Sequence, residues 1–351
     1  RFWPVFFTQF SGAFNDNVFK NSLVILIAYK SFSLLGLSPE LMVALCGAIF
    51  ILPFFLFSAI AGQLSDKYPK QKLMVIIKIW EILVMLIGSA GFLLENIHLL
   101  MSSLFLMGLQ STFFGPVKYS ILPELLDDEE LINGNAMFQM GTFVSILLGT
   151  ILGGILIAID GVGTQYVSAV VITLSIIGTI FSTQVKKLKA TSPDLKVNFG
   201  LIKPTLDIIK ITKNNKSIWL SVLGISWFWL MGAILLSIFP VYSINILKSP
   251  ESVTTLFLAL FSIGIAIGAI SCEKMSRGHL ELGLVPIGSI GMTLFLLDLY
   301  FIGTPSFVIE GSITTIETLL NNFSGIRIIF DLLMFSVFSG FFTVPLYTFI
   351  Q

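Results

Sequence analysis

The sequence predicts an all-α membrane protein whose spanning helices form two pseudo-symmetric bundles. Three observations carry that expectation: the composition, ten long apolar runs, and one basic segment that divides them. Hydrophobic residues make up 55% of the 351 residues and charged residues only 11%, with a mean hydropathy of +0.95. A soluble domain carries about 25% charged residues, and a fold of this length in water has no core large enough to bury so much apolar surface. A bilayer buries it without a core. The abundance of phenylalanine, 33 residues, suits lipid-facing helix surfaces.

A spanning helix needs roughly 20 mostly apolar residues. The runs that qualify are Trp3–Tyr29, Leu41–Leu64, Leu73–Leu94, Ile97–Ser120, Met137–Ile159, Tyr166–Thr183, Ile218–Ile244, Val253–Cys272, Leu282–Gly303 and Ile326–Ile350. Turn chemistry marks several gaps, at Gly36-Leu37-Ser38-Pro39, Asp160-Gly161 and Ser249-Pro250. The first run carries Asn15, Asp16, Asn17 and Lys20, which a cleavable signal peptide would not.

From Val185 to Ser217 the chain turns polar and basic, with Lys186, Lys187, Lys189, Lys196, Lys203, Lys210, Lys213 and Lys216. The expected organisation is a six-helix bundle over 1–184, a basic cytoplasmic linker over 185–217, and a second bundle over 218–351. Within the linker, Leu201–Ile211 is patterned as a short amphipathic helix for the membrane surface. Six helices, a long basic loop and more helices is the layout of a two-halved transporter with related halves. Such a protein has twelve helices, so the ten runs are read as part of a longer protein; the alternative is a genuine ten-helix chain.

Lysine and arginine placement sets the orientation. Arg1, Lys67, Lys70, Lys72, Lys118, the linker lysines, Lys274 and Arg277 fall on one side, against Lys30, Lys248 and Arg327 on the other. The first side is expected to be cytoplasmic, with the N-terminus inside and the chain in an inner or plasma membrane. The acidic cluster Asp127–Glu130 lies on the same side and weighs little in this rule.

The most specific local pattern is Gly62-Gln63-Leu64-Ser65-Asp66-Lys67-Tyr68-Pro69-Lys70-Gln71-Lys72, between the second and third runs. Glycine, three residues, an aspartate and then several bases resembles the loop signature of the major facilitator superfamily, with Pro69 where a second glycine is usual. Gly62 is expected to let two helices approach closely. Asp66 is expected to pair with a base and to cap a neighbouring helix, where the macrodipole favours an anion. Gly62, Asp66, Lys67, Lys70 and Lys72 are therefore candidate gating residues, the alternative being an ordinary positive-inside loop. A weaker echo, Gly268-Ala269-Ile270-Ser271-Cys272-Glu273-Lys274, follows the eighth run.

Ionisable groups inside a span are costly and default to functional hypotheses. Asp16 and Lys20 stand four apart, on one helix face with Gln9. They either line a polar cavity or neutralise each other; Asn15, Asn17 and Asn21 add polar groups that one ion pair does not need. Lys78 and Glu81 are expected to pair in the third helix. Gln110, Phe114 and Lys118 share a face of the fourth, where Lys118 either meets substrate or snorkels to lipid phosphate. Arg327 and Asp331 are read as a structural pair, and Asp298 has no local partner. Gly141, Ser145, Gly149 and Gly153 give the fifth helix a small-residue face for close packing. The Gly149–Gly154 run lacks the proline of the antiporter signature.

Nothing in the sequence points to catalysis, and the protein is not expected to be an enzyme. His98 and His279 fall at loops, Cys46 and Cys272 are far apart in apolar runs, and no phosphate-cradling glycine loop occurs. No metal site, cofactor or nucleic-acid partner is expected, and the net charge is zero.

Several segments together resemble bacterial lysophospholipid transporters: Phe10-Ser11-Gly12-Ala13-Phe14-Asn15-Asp16-Asn17, Phe114-Gly115-Pro116-Val117-Lys118-Tyr119-Ser120-Ile121-Leu122-Pro123-Glu124, Asn133-Gly134-Asn135, the stretch from Glu281 to Ser289, and Thr343-Val344-Pro345-Leu346-Tyr347. Ser226-Trp227-Phe228-Trp229 and Phe239-Pro240-Val241-Tyr242 are similar to the module fused ahead of an acyltransferase and an acyl-carrier-protein synthetase. The resemblance implies the major facilitator fold and movement of lysophospholipids, chiefly lysophosphatidylethanolamine, to the cytoplasmic leaflet for reacylation. It implies membrane lipids and a fused or partner acyltransferase/acyl-ACP synthetase as associates. Lys20, Lys78 or Lys118 would then meet the phosphate, and Asp16 or Trp227 the ammonium, the latter by cation–π contact. Asn15, Asn17, Glu81 and Gln110 complete the candidate substrate site. Two other readings stand beside it: export of a drug, siderophore or other small solute, and a non-transporting module that presents lipid to an enzyme.

Overall fold

The computed structural model of the chain describes residues 1–30, 39–276, 279–305, 307–308 and 313–351. The expected turn at Gly36–Ser38, and Arg277, expected on the cytoplasmic side, lie outside the described residues. Ten long helices are present among them: α1 (Trp3–Lys30), α2 (Pro39–Lys67), α3 (Lys70–Leu93), α4 (Ile97–Ser120), α6 (Asp128–Ile157), α7 (Gly163–Thr183), α9 (Lys216–Val241), α10 (Glu251–Ser276), α11 (Leu284–Ile302) and α13 (Phe323–Ile350). Short helices α5 (Leu122–Leu125), α8 (Lys203–Asn214) and α12 (Ile316–Asn321) lie between them, and a π-helical turn, Tyr242–Ile246, prolongs α9. Nine of the long helices are apolar enough to cross a membrane; α1, interrupted by its polar residues, is the tenth.

Hydropathy locates the lipid-depth part of a helix and misses its extensions. α6 begins at Asp128 rather than Met137. Its 30 residues span about 45 Å, well beyond the roughly 30 Å hydrocarbon layer. The acidic cluster read as loop supplies Asp128, Glu129 and Glu130 to the first turn of α6, where the helix dipole favours anions. The Gly268–Lys274 echo is likewise helical, inside α10, and not a loop. Gly268 there abuts the Val337 carbonyl of α13, so it is a packing glycine. At the Asp160-Gly161 turn, Gly161 takes φ +73°, a conformation that favours glycine.

Residue contacts divide the chain into two compact units. The first comprises Arg1–Leu126 and Leu148–Thr212, the second Asp127–Leu147 and Lys213–Gln351, so α6 contributes to both and the linker up to Thr212 belongs to the first.

In the first unit, Phe19 and Leu23 of α1, Met42 of α2, Phe92 of α3, Leu104 of α4 and Val171 of α7 form one buried apolar cluster. The small-residue face of α6 packs on α1: a Cβ at Gly149 would stand 2.6 Å from the Phe14 carbonyl oxygen, and one at Gly153 2.6 Å from that of Val18. Asn21 and Ser22 fix the contact by donating to the Thr150 and Gly153 carbonyls at 2.7 and 3.0 Å. Removing Cβ atoms admits these side-chain-to-backbone bonds, which is how small residues join helices in lipid.

In the second unit α13 is the central helix, with buried residues from Gly325 to Thr348. Gly264 of α10 and Gly288 of α11 let their helices close on its backbone.

Candidate functional site

Three helices of the first unit, α1, α3 and α4, bring polar side chains together within their apolar runs. On α3, Lys78 and Glu81 stand one turn apart and form an ion pair, Nζ to Oε2 at 2.6 Å. Both are essentially inaccessible, at 0% and 1% side-chain exposure. A buried pair persists only if its remaining polar capacity is filled. Here Asn15 of α1 donates to Glu81 Oε1 at 3.0 Å, and Gln110 of α4 donates to Oε2 at 3.1 Å. The ammonium of Lys78 also faces the Phe114 ring, 5.3 Å from its centroid.

Two glycines provide the room. A Cβ at Gly12 of α1 would stand 2.5 Å from Lys78 Nζ, and one at Gly178 of α7 3.2 Å from it and 2.6 Å from Ser11 Oγ. The lysine occupies volume that side chains at those positions would need.

Asp16 sits one residue beyond Asn15, half-buried. Its Oδ2 accepts from Ser111 Oγ at 2.9 Å, while its buried Oδ1 and the Oδ1 of Asn15 meet no partner among the described residues. Gln110 Oε1 lies 3.2 Å from the same Ser111 hydroxyl, which has one proton to give to either acceptor. Asp16 and Lys20 share a helix face, but no ion pair joins them among the described residues; Lys20 Nζ lies instead over the Phe50 ring of α2, 4.4 Å from its centroid. Lys118, half-buried near the end of α4, stacks on Tyr119 at 4.9 Å. Asn17 turns back on its own helix and donates to the Ala13 carbonyl at 2.7 Å. The arrangement is therefore one closed ion pair, Lys78–Glu81, beside three charged groups with open hydrogen-bonding capacity: Asp16, Lys20 and Lys118.

The candidate gating loop is shorter than its motif, since only Tyr68 and Pro69 separate α2 from α3. Gly62 does not serve a close helix approach: a Cβ there would meet nothing within 4 Å. Nor does Asp66 cap α3, whose N-cap is Pro69 with no side-chain bond; its side chain is exposed and its backbone carbonyl accepts from Ser192 N at 2.8 Å. Lys70 is the base that pairs. It is buried, forms an ion pair with Glu124 of α5 and donates to Thr191 Oγ1 at 2.7 Å. Lys67 lies over Tyr68 at 5.8 Å, and Lys72 is exposed. The linker is held a second time at Gln63, whose side-chain amide accepts from Asn198 N at 2.8 Å and donates to its carbonyl at 3.4 Å.

Trp227 belongs to the second unit, where it packs edge-on against Phe342 with centroids 5.6 Å apart and remains 39% exposed. In the same unit the expected Arg327–Asp331 pair is replaced by another. Arg327 makes a two-point ion pair with Asp298 of α11, Nε donating to Oδ2 at 2.7 Å and Nη2 to Oδ1, with Asp331 buried beside them. An i,i+4 spacing makes a pair possible; the close packing of α11 on α13 supplied a better-placed carboxylate.

Sequence reasoning missed Ser111, Gly12, Gly178 and Glu124. Ser111 adjoins Gln110 and was legible as a polar residue in an apolar run. Gly178 carried no signal, because its role is defined by a lysine on another helix.

The profile of the transmembrane secretion effector family matches residues 30–310. The chain is 23% identical to the lysophospholipid transporter LplT of Photorhabdus laumondii, over 99% of this chain and 79% of that protein. It is 24% identical to LplT of Escherichia coli O157:H7 over the same shares. Among solved structures it resembles the E. coli fucose:proton symporter FucP, with a TM-score of 0.70 at 12% identity, and a bacterial homologue of the iron transporter ferroportin in its outward-facing state, with 0.66 at 16%. Each match covers 99% of this chain and 83% of the other. At these identities the structural likeness is one of fold.

Proposed function

Because the chain belongs to the transmembrane secretion effector family and has the major facilitator fold, we propose that this membrane transporter carries lysophospholipids of the lysophosphatidylethanolamine type. In this reading it lies in the bacterial inner membrane with its N-terminus in the cytoplasm and moves substrate by alternating access to the cytoplasmic leaflet. An acyltransferase/acyl-ACP synthetase, fused or separate, reacylates it there. The relatives named lysophospholipid transporter LplT support the substrate class.

The observation that carries the reading is the unequal state of the charges. Lys78 and Glu81 satisfy each other with help from Asn15 and Gln110, so they organise the site. Among the described residues, Asp16 keeps an unpartnered buried oxygen, and the ammonium groups of Lys20 and Lys118 meet only aromatic faces. A zwitterionic headgroup presents the complementary charges: its phosphate suits the lysines, and its ammonium suits Asp16. Trp227, half-exposed in the second unit, is the alternative partner for an ammonium, by cation–π contact. Gly62, Asp66, Lys67, Lys70 and Lys72 form the region proposed to bias one access state.

The test is uptake of headgroup-labelled lysophospholipid into proteoliposomes, with and without proton and sodium gradients. Saturable uptake competed by unlabelled lysophospholipid supports the reading. No uptake, with efflux of a small solute instead, favours export, to which the description of the family also points.

A further inference from the structure

Between α1 and α2 of the first unit lies a cavity of about 240 Å³ that opens at the surface. Lys20 and Val24 of α1 form one wall, and Val43, Cys46, Gly47 and Phe50 of α2 form the other. Leu104 of α4 closes the back. We propose that this groove is the acyl-chain subsite of the first unit, and that Lys20 at its inner end binds the phosphate of a single-chain phospholipid whose chain lies along it. The proposal rests on the lysophospholipid reading above and assigns that substrate a place.

The lining fixes the chemistry of the occupant. Among the described residues, Lys20 is the one ionisable group in an otherwise apolar lining, apart from the Cys46 thiol. Its ammonium makes no ion pair or hydrogen bond among the described residues and rests on the Phe50 ring at 4.4 Å. Such a contact is worth about 0.5–2 kcal/mol, less than the charge-assisted bonds a phosphate offers, which are about twice as strong as neutral ones. The ring therefore parks the ammonium and does not sequester it.

Lys20 lies about 5 Å past the midpoint of α1 at 1.5 Å per residue. From there the groove runs towards Val24 and Val43, along the half of each helix next to the α1–α2 connection. An occupant must therefore join one anion to one apolar chain. The cavity is smaller than the roughly 300–1,000 Å³ of sites that enclose a whole ligand, so it holds a segment of one acyl chain. A Cβ at Gly47 would meet nothing within 4 Å, so the groove is empty where α2 faces it and a larger side chain there fills it without displacing protein.

The full-length protein is reconstituted with lysophosphatidylethanolamine carrying a diazirine in its acyl chain, photolysed, and mapped by mass spectrometry. Cross-links are expected on α1 and α2 at residues 20–24 and 43–50, competed by unlabelled lysophospholipid and not by diacyl phosphatidylethanolamine. Gly47→Leu and Lys20→Met should each lower them by about tenfold, with a melting temperature for Gly47→Leu no lower than that of the wild type.

Equal competition by the diacyl lipid means an annular lipid only and overturns the proposal. So do labels elsewhere, or labels indifferent to Gly47→Leu. Wild-type uptake with cross-links outside the groove defeats the subsite and leaves the transport reading intact. Competed cross-links in the groove without uptake keep the subsite and defeat transport. Neither uptake nor cross-links defeats both.

Discussion

A methyl group on Gly12 would stand 2.5 Å from the ammonium nitrogen of Lys78, so the glycine and the lysine divide one volume between them. Gly12→Ala must push Lys78 off Glu81, and Gly178→Ala presses on Ser11 and the same ammonium. Overpacking of this kind costs about 1–3 kcal/mol. Gly62→Ala and Gly115→Ala, where a Cβ meets nothing, should instead stabilise by up to about 1 kcal/mol through helix propensity. Melting temperatures of the detergent-purified variants check the opposite signs; equal shifts at all four positions would remove the packing argument.

Glu81→Gln leaves Lys78 buried without a counter-ion, and breaking a buried pair costs about 3–5 kcal/mol. The double variant Lys78→Met, Glu81→Gln removes both charges and should recover most of that loss. A melting series of the two single variants and the double one measures the coupling. Additive losses would show that the pair is not closed.

Asp16→Asn and Lys118→Gln keep most of the shape and remove charges that have no ionic partners among the described residues. Both should insert and melt like the wild type and lose lysophospholipid uptake. The loss at Lys118 should be larger for substrates whose only headgroup charge is the phosphate, because no ammonium can then engage Asp16. Full uptake by both variants would leave the headgroup model without support.

Asp66 and Lys70 should separate cleanly. Asp66→Ala is a surface change costing under about 0.5 kcal/mol, and its expected effect is on uptake alone. Lys70→Ala removes a buried base from Glu124 and Thr191, and should expose the linker at Lys186–Lys196 to trypsin. Limited proteolysis followed over time reads the difference, and equal cleavage rates in the two variants would reject it.

Much of the fold was legible because apolar runs mark helices at lipid depth, and the patterning of Leu201–Ile211 marked the amphipathic α8. Within the site, Asn15, Asp16, Lys78, Glu81 and Gln110 were each visible as polar residues in apolar runs. What pairs with what was less legible. Periodicity reports which face a residue occupies and nothing about which helix stands opposite, so Arg327 was matched to Asp331 on its own helix while Asp298 of α11 held it. Gly62 was misread for a related reason: a motif transfers residue types, and the close approach it implied belongs to Gly149, Gly153 and Gly268.

The amide of Gln63 grips Asn198 by both its N–H and its carbonyl, and this sets a leash. A free segment from Val185 to Ser217 could stretch roughly 110 Å at about 3.4 Å per residue. Between Asn198 and the start of α8 at Lys203 the chain can extend only about 17 Å. The amphipathic helix therefore cannot wander as a loose arm; it stays within a short radius of the end of α2, and a single glutamine sets that radius.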